Sequence, residues 1–259
     1  MKYLLPILVV AIVSVNVTAQ DLWLRPEKYF WEPNQGAQIH IVTGKDFIAE
    51  PARTGISFTK LELIHRNERT DIRRKFTDGK TPFISVNLAS DGLYLIAGAV
   101  NPESLIMSRA DFLSYAEEFE LENILRDSAS IMSDPITVQL TRYLKACVRV
   151  GKAHDKSPEQ SDKLPLEIIP DKNPLLLSRG ERITFTVLRN GKPAFGVRVK
   201  IWNRWDNRTT LQHIYTEQDG TVNTTISSPG DWMVSVVDCP GERQGTYLLN
   251  SFCLFFGYR

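Results

Sequence analysis

Much of the chain is patterned with period two. Ala37 to Val42, Leu61 to His65 and Phe83 to Leu88 alternate apolar with polar positions, as strands do when their two faces meet different surroundings. Leu93 to Ala99 is apolar almost throughout and follows Asp91-Gly92. Like Asp78-Gly79, that is a turn pair, because glycine accepts positive φ without a Cβ clash. Short strands at this spacing predict a sandwich rather than βαβ units. Ser108 to about Ile131 departs from the pattern. Ser108 can cap a helix with Asp111 at the reciprocal position. Phe112, Tyr115, Phe119, Ile124 and Leu125 fall roughly on one helical face, predicting a single amphipathic helix that ends by Asp134-Pro135. Thr137 to Val150 is a strand or a helix, since Arg142, Lys145 and Arg149 leave its period open.

Residues 151–164 are polar, charged and without period, and are expected to be a linker. Strand patterns resume in Ile183–Leu188, Val197–Trp202, Trp232–Val237 and Phe252–Phe256, with turns at Asn190-Gly191 and Asp219-Gly220. The expected fold is all-β: two tandem Ig-like or transthyretin-like β-sandwich domains, 20–150 and 165–259, with one amphipathic helix inserted at about 108–131. Gly36 and Gly180 each open a similar strand, as do Gly92 and Gly230 at a comparable separation. A duplicated sandwich and a chance repetition of glycine-started strands both produce this.

The first nineteen residues stand apart. Lys2 is the only charge before Asp21, and Leu4 to Val15 is apolar but for Pro6 and Ser14. Val17-Thr18-Ala19 fits the small-residue rule for signal-peptidase cleavage. The run is short for a membrane span, so 1–19 reads as a secretory signal cleaved after Ala19, and the protein as periplasmic or secreted. No later segment is long and apolar enough to span a bilayer. The net charge of +1 provides no general field for nucleic acid. Export would place Cys147, Cys239 and Cys253 where disulfides form. A hairpin centred on Thr246 would set Cys239 opposite Cys253 and join them, leaving Cys147 as a buried thiol. An offset register would leave all three unpaired.

Asp21-Leu22-Trp23-Leu24-Arg25-Pro26, Tyr143-Leu144-Lys145-Ala146, Leu166-Glu167-Ile168-Ile169-Pro170, Asn173-Pro174, Gly191-Lys192-Pro193 and Pro229-Gly230-Asp231-Trp232 follow one another in that order. Together they resemble the uncharacterised exported bacterial proteins, a domain of unknown function, sometimes labelled NikM-like nickel-uptake components. The resemblance covers nearly all of the chain beyond residue 19. It implies a second domain like the transthyretin-type regulatory sandwich found beside carboxypeptidases, a module that binds or stabilises. It also implies histidines at two positions where this chain has Gln20 and Asp238.

Chemical motifs are sparse. The four histidines, at 40, 65, 154 and 213, show neither i,i+4 nor H-x-H spacing. His40 and His65 lie in expected strands and, with Asp238, are the weak candidates for a divalent transition metal of the nickel or cobalt type; otherwise they are ordinary strand residues. There is no G-x-S-x-G, and Cys147 lacks a recognisable base. Glu117, Glu118, Glu120 and Glu122 fall on the expected wet face of the helix. Arg66, Arg69, Arg73, Arg74 and Lys75 form either an anion-binding patch or a charged hairpin that deters edge pairing. Trp202, Trp205 and Tyr215 are candidates for a glycan-binding surface, although strand alternation puts Trp202 in the core. The reading is a non-enzymatic exported binding or accessory module with no required cofactor. Its partner would be an envelope protein or a small ligand. The alternatives are a metal-uptake accessory and an uncharacterised hydrolase.

Overall fold

A computed structural model of the chain describes residues 20–66, 68–153 and 155–258. The expected signal segment 1–19 and His154 lie outside the described residues. The first half contains β1 (Asp21–Pro26), β2 (Phe30–Trp31), β3 (Gln35–Gly44), β4 (Glu50–Pro51), β5 (Phe58–His65), β6 (Glu68–Asp71), β7 (Phe76–Thr77), β8 (Phe83–Leu88), β9 (Gly92–Val100), β10 (Glu103–Met107), helices α1 (Arg109–Phe119) and α2 (Glu122–Arg126), and β11 (Ile136–Val150). The second half contains β12 (Leu166–Pro170), β13 (Arg182–Arg189), β14 (Lys192–Pro193), β15 (Arg198–Trp205), β16 (Arg208–Tyr215), β17 (Thr221–Thr225), β18 (Gly230–Arg243) and β19 (Thr246–Tyr258). The fold is all-β, in sandwich layers, with one helical insert. Among the described residues no helix is long and apolar enough to cross a membrane.

The strands form three sheets, stacked as layers. The middle one has ten strands drawn from both halves, ordered β16-β15-β18-β19-β11-β9-β5-β6, with β2 and β10 also on β11. The halves join where β11 and β19 pair in parallel from Thr137↔Thr246 to Ala146↔Phe255. One outer sheet, β1-β3-β8-β7 with β4, covers one face of the middle sheet. The other, β12 to β14 with β17, covers the opposite face. The core residues divide accordingly. Tyr94, Ile96, Leu144, Ala146 and Phe255 pack with the first outer sheet, and Leu95, Cys147, Phe252, Leu254 and Phe256 with the second. Burial on both faces is why Leu93 to Ala99 is a continuous apolar run instead of an alternating one.

Strand order is the same in the two halves. Outer β1-β3-β8 corresponds to β12-β13-β17, and middle β6-β5-β9-β11 to β16-β15-β18-β19. Equivalent strands β11 and β19 run side by side in parallel, as a two-fold axis along the strands requires. Such an axis also exchanges the two faces of the sheet, which accounts for the outer sheets lying on opposite sides. The glycine echo fits this scheme. Gly36 and Gly180 belong to the equivalent outer strands β3 and β13 or their approach, and Gly92 and Gly230 open the equivalent middle strands β9 and β18, both at positive φ.

Two expectations need correction. Residues 151–164 are not a free linker but a packed crossover. Ser157 is fully buried, and its Oγ accepts the Arg66 N–H at 2.8 Å, while Asp155 Oδ2 accepts the Leu93 N–H at 2.6 Å. The expected single helix is broken. Ser108 Oγ accepts the Asp111 N–H at 3.1 Å and opens α1 as read, but Glu120 adopts a left-handed conformation and closes it. The break aims the Glu120 carboxylate at the second half, where it meets Arg198 at 2.5 Å and the Tyr215 hydroxyl, so Glu120 leaves the wet face.

Because each half covers the other, heating should give one cooperative transition rather than two. Calorimetric and van't Hoff enthalpies should agree. Two resolved transitions would show that the halves unfold separately.

Candidate functional site

A cleft of about 410 Å³ opens where β1 begins. Leu22, Ala52, Ile56 and Val100 give it an apolar floor, and Arg53, Glu103 and Arg142 stand at its rim. The rim is held from two sides. Arg142, on β11, pairs with Glu103 of β10 at 2.7 Å. The 52–57 loop is tied down by the Gly55 N–H to Asp78 Oδ2 at 2.8 Å and by the Asn101 N–H to Ser57 O at 2.8 Å. The volume falls within the range of small-molecule sites. With two guanidiniums against one carboxylate on its lining, the cleft is suited to a ligand carrying an acidic group.

Beside it lies a smaller gap of about 20 Å³, lined in part by Asp21, Tyr115, Arg142 and Ser251. Burial pushes the Asp21 carboxyl up to about 6. Lys200 and Arg142 oppose the shift and Glu118 adds to it. The same enclosure raises the Tyr115 hydroxyl well above its ordinary range.

The residues singled out in the sequence do not converge. His40 Nε2 lies 3.4 Å from Glu27 on the outer sheet. His65 stacks on Tyr94 with ring centroids 4.1 Å apart, and its Nδ1 meets Leu93 O at 2.9 Å. Asp238 is engaged by Arg189 through both carboxylate oxygens, at 2.6 and 2.8 Å. Among the described residues no three of His, Cys, Asp and Glu are grouped to hold a metal. The Cys239–Cys253 disulfide does not form either. The β18–β19 register sets Ser235 opposite Cys253, and Cys239 sits in a bulge beyond Asp238↔Asn250. Four strand residues span about 13 Å, well past the reach of a disulfide. All three cysteines are free and buried, and burial pushes Cys147 up to about 12. Trp202 is buried. Trp205 and Tyr215 are exposed but at opposite ends of the β15–β16 ribbon, so they form no common aromatic surface. In the basic stretch, Arg73 is neutralised by Asp71 at 2.6 Å and Arg69 by Glu62 at 3.0 Å.

One constellation was invisible to motif reading. Lys145 and Glu167, the charged members of two of the signature segments, meet in the interior at 2.5 Å. Asp162 of the crossover joins them, 2.6 Å from Lys145 Nζ. All three side chains are at most 1% exposed. A lysine in an apolar strand flanked by Leu144 and Ala146 was the available signal, but its partners lie 17 and 22 residues away across a crossover. The Pro229 signature is also structural. Gly230 is required at positive φ because a Cβ there would fall 2.1 Å from Arg204 O. Asp231 accepts the Tyr29 hydroxyl and pairs with Arg25 at 3.4 Å, tying β18 to the first half.

Sequence comparison matches residues 17–238 to the profile of a domain of unknown function, DUF4198. The chain belongs to that family. No curated protein matches it in sequence. Among solved structures, Escherichia coli alpha-2-macroglobulin activated by porcine elastase is similar at 12% identity, with 93% of this chain and 20% of that chain covered and a TM-score of 0.27. This chain therefore spans a fifth of that one. Fibronectin(III)-like modules of Clostridium thermocellum CbhA are similar at 10% identity, with 91% and 94% covered and a TM-score of 0.21. A tetra-tandem repeat from the extending region of a large adhesion protein gives 11% identity, 92% and 49% covered and a TM-score of 0.23. At these scores none carries an argument about function for this DUF4198 member.

Two measurements test the site chemistry. A carboxyl raised to about 6 in the fold destabilises the folded state as pH climbs from about 4 through 6, and fully above that. Asp21→Asn should therefore raise stability at pH 7, with the gain vanishing below pH 4. Equal denaturation midpoints for the two proteins at pH 7 would refute this. Thiol titration of denatured, unreduced protein should find three free thiols per chain.

Proposed function

We infer that this DUF4198 protein is an exported, non-catalytic binding or accessory module of the bacterial envelope, and that the cleft at the start of β1 is its ligand site. The observation that carries the reading is the pairing of an apolar floor with the Arg53 and Arg142 rim. That combination favours a small molecule with an acidic group and an apolar body. A transthyretin-like second half, as the family resemblance implies, would agree with a binding role. A nickel-uptake role would need donors other than His40, His65 and Asp238, each of which has a partner of its own.

Two experiments bear on this. Exported material should begin at Gln20 on N-terminal sequencing, and retention of Met1 in a membrane fraction would remove the localisation. Thermal-shift screening of small carboxylates and phosphates should find a stabilising ligand. Arg142→Ala should weaken its binding by roughly tenfold or more, the effect of losing a charge-assisted hydrogen bond. If every stabilising ligand binds Arg142→Ala and Arg53→Ala proteins as tightly as wild type, the cleft is not the site.

A further inference from the structure

The buried charge cluster offers chemistry that neither the cleft nor the proposed function uses. Lys145 projects from β11, in the middle sheet, into the space beneath the crossover, where Phe252 walls it off with its ring centroid 5.8 Å from Nζ. Two carboxylates face it there. Glu167 is fully engaged in hydrogen bonds. Its Oε1 accepts from Lys145 Nζ at 2.5 Å and from the Asp162 N–H at 2.7 Å, and its Oε2 accepts the Ser161 hydroxyl at 2.7 Å. Asp162 is held differently. Its Oδ2 pairs with Lys145 Nζ at 2.6 Å and its Oδ1 with Arg69 Nη1 at 2.7 Å. An amine is thus held in contact with a buried carboxyl group. A second carboxylate touches that amine, and a guanidinium sits on the far oxygen.

We propose that Lys145 and Asp162 condense to an intramolecular amide, with Glu167 carrying the protons. Glu167 takes a proton from the Lys145 ammonium and passes it to Asp162 Oδ2. The freed amine lone pair attacks Asp162 Cγ, forming the N–C bond, and Arg69 stabilises the negative charge that develops on Oδ1. Glu167 then removes a proton from the nitrogen and delivers it to the departing Oδ2. The C–O bond breaks, one water leaves and the carbonyl re-forms on Oδ1. An ammonium and a carboxylate become a neutral amide plus water, and no oxidant or activated co-reactant is required. Two features favour the step. Fixing the reactants in contact replaces a bimolecular encounter, an advantage worth effective molarities of about 10⁵ M or more. The product also relieves the interior of two opposite charges that are costly to keep out of water. Glu167 acts as a positioned proton carrier, in the manner of a general base and acid. The bond would fasten the middle sheet to the crossover that leads into the second outer sheet.

Denaturing intact-mass analysis of the purified full-length or naturally processed protein tests this directly. The wild type should be lighter than its own sequence by one water. Tandem mass spectrometry of a digest should show the Lys145 peptide joined to the Asp162 peptide, with no tryptic cleavage at Lys145. Lys145→Arg and Asp162→Ala should each restore the full sequence mass of the variant. Glu167→Gln should do the same while keeping both joined residues, with circular dichroism reporting whether that variant is folded. A wild-type protein at full sequence mass overturns the proposal, whatever the variants do. So does a lost water mapped to an Asp-Gly pair or to a Lys145–Glu167 linkage. A cross-link that still forms in full in Glu167→Gln removes the role given to Glu167.

Discussion

The parallel pairing of β11 with β19 is the constraint on which the rest of the architecture depends. It fuses what would be the edges of two four-strand sheets into one continuous middle layer. That layer is buried on both faces, so each half needs an outer sheet, and the relation between the halves puts those sheets on opposite sides. Parallel neighbours cannot be joined by a tight turn. The chain between β11 and β19 accordingly runs through the whole second half, beginning with the crossover 151–164. The buried charges lie where that crossover passes under β11.

Much of the fold was legible in the sequence, because local period and turn chemistry report on local surroundings. The alternating runs of β3, β5 and β8, the Asp91-Gly92 and Asn190-Gly191 turns and the Ser108 cap all appear where they were read. The features that misled depend on distant partners. Residues 151–164 look like a linker because their polar side chains are satisfied by Arg66, Leu93 and Lys145, none of which is nearby in sequence. The helix was read through Glu120 because nothing local shows that its carboxylate is claimed by Arg198.

Candidate-site residues were less legible for the same reason. Residue type suggested histidines as ligands, but His40 meets Glu27 and His65 meets the Leu93 carbonyl, and convergence in space is a property of topology. The cysteine pairing failed by register. The hairpin turns at Gln244-Gly245, where Arg243 faces Thr246, and not around Thr246 itself; the bulge between Asp238 and Gly241 adds a one-residue slip, and together they set Ser235 in place of Cys239 opposite Cys253. The cleft had no sequence signature, because its floor comes from β1, β9 and the 52–57 loop, segments that look like ordinary strand and loop.

Phe47 shows what the shared layer means for the history of the protein. It is anchored in the loop after β3 and packs with Trp23 of its own half, at 5.7 Å between centroids, and with Trp202 and Phe255 of the other, at 6.3 and 5.9 Å. If the halves arose by copying one gene segment, they could not have drifted apart independently afterwards. A change of volume at position 255 is felt at position 47, so tolerated substitutions in one copy would depend on the residues already present in the other. Neither copy could be lifted out and grafted onto another protein without exposing the half-finished interior of both.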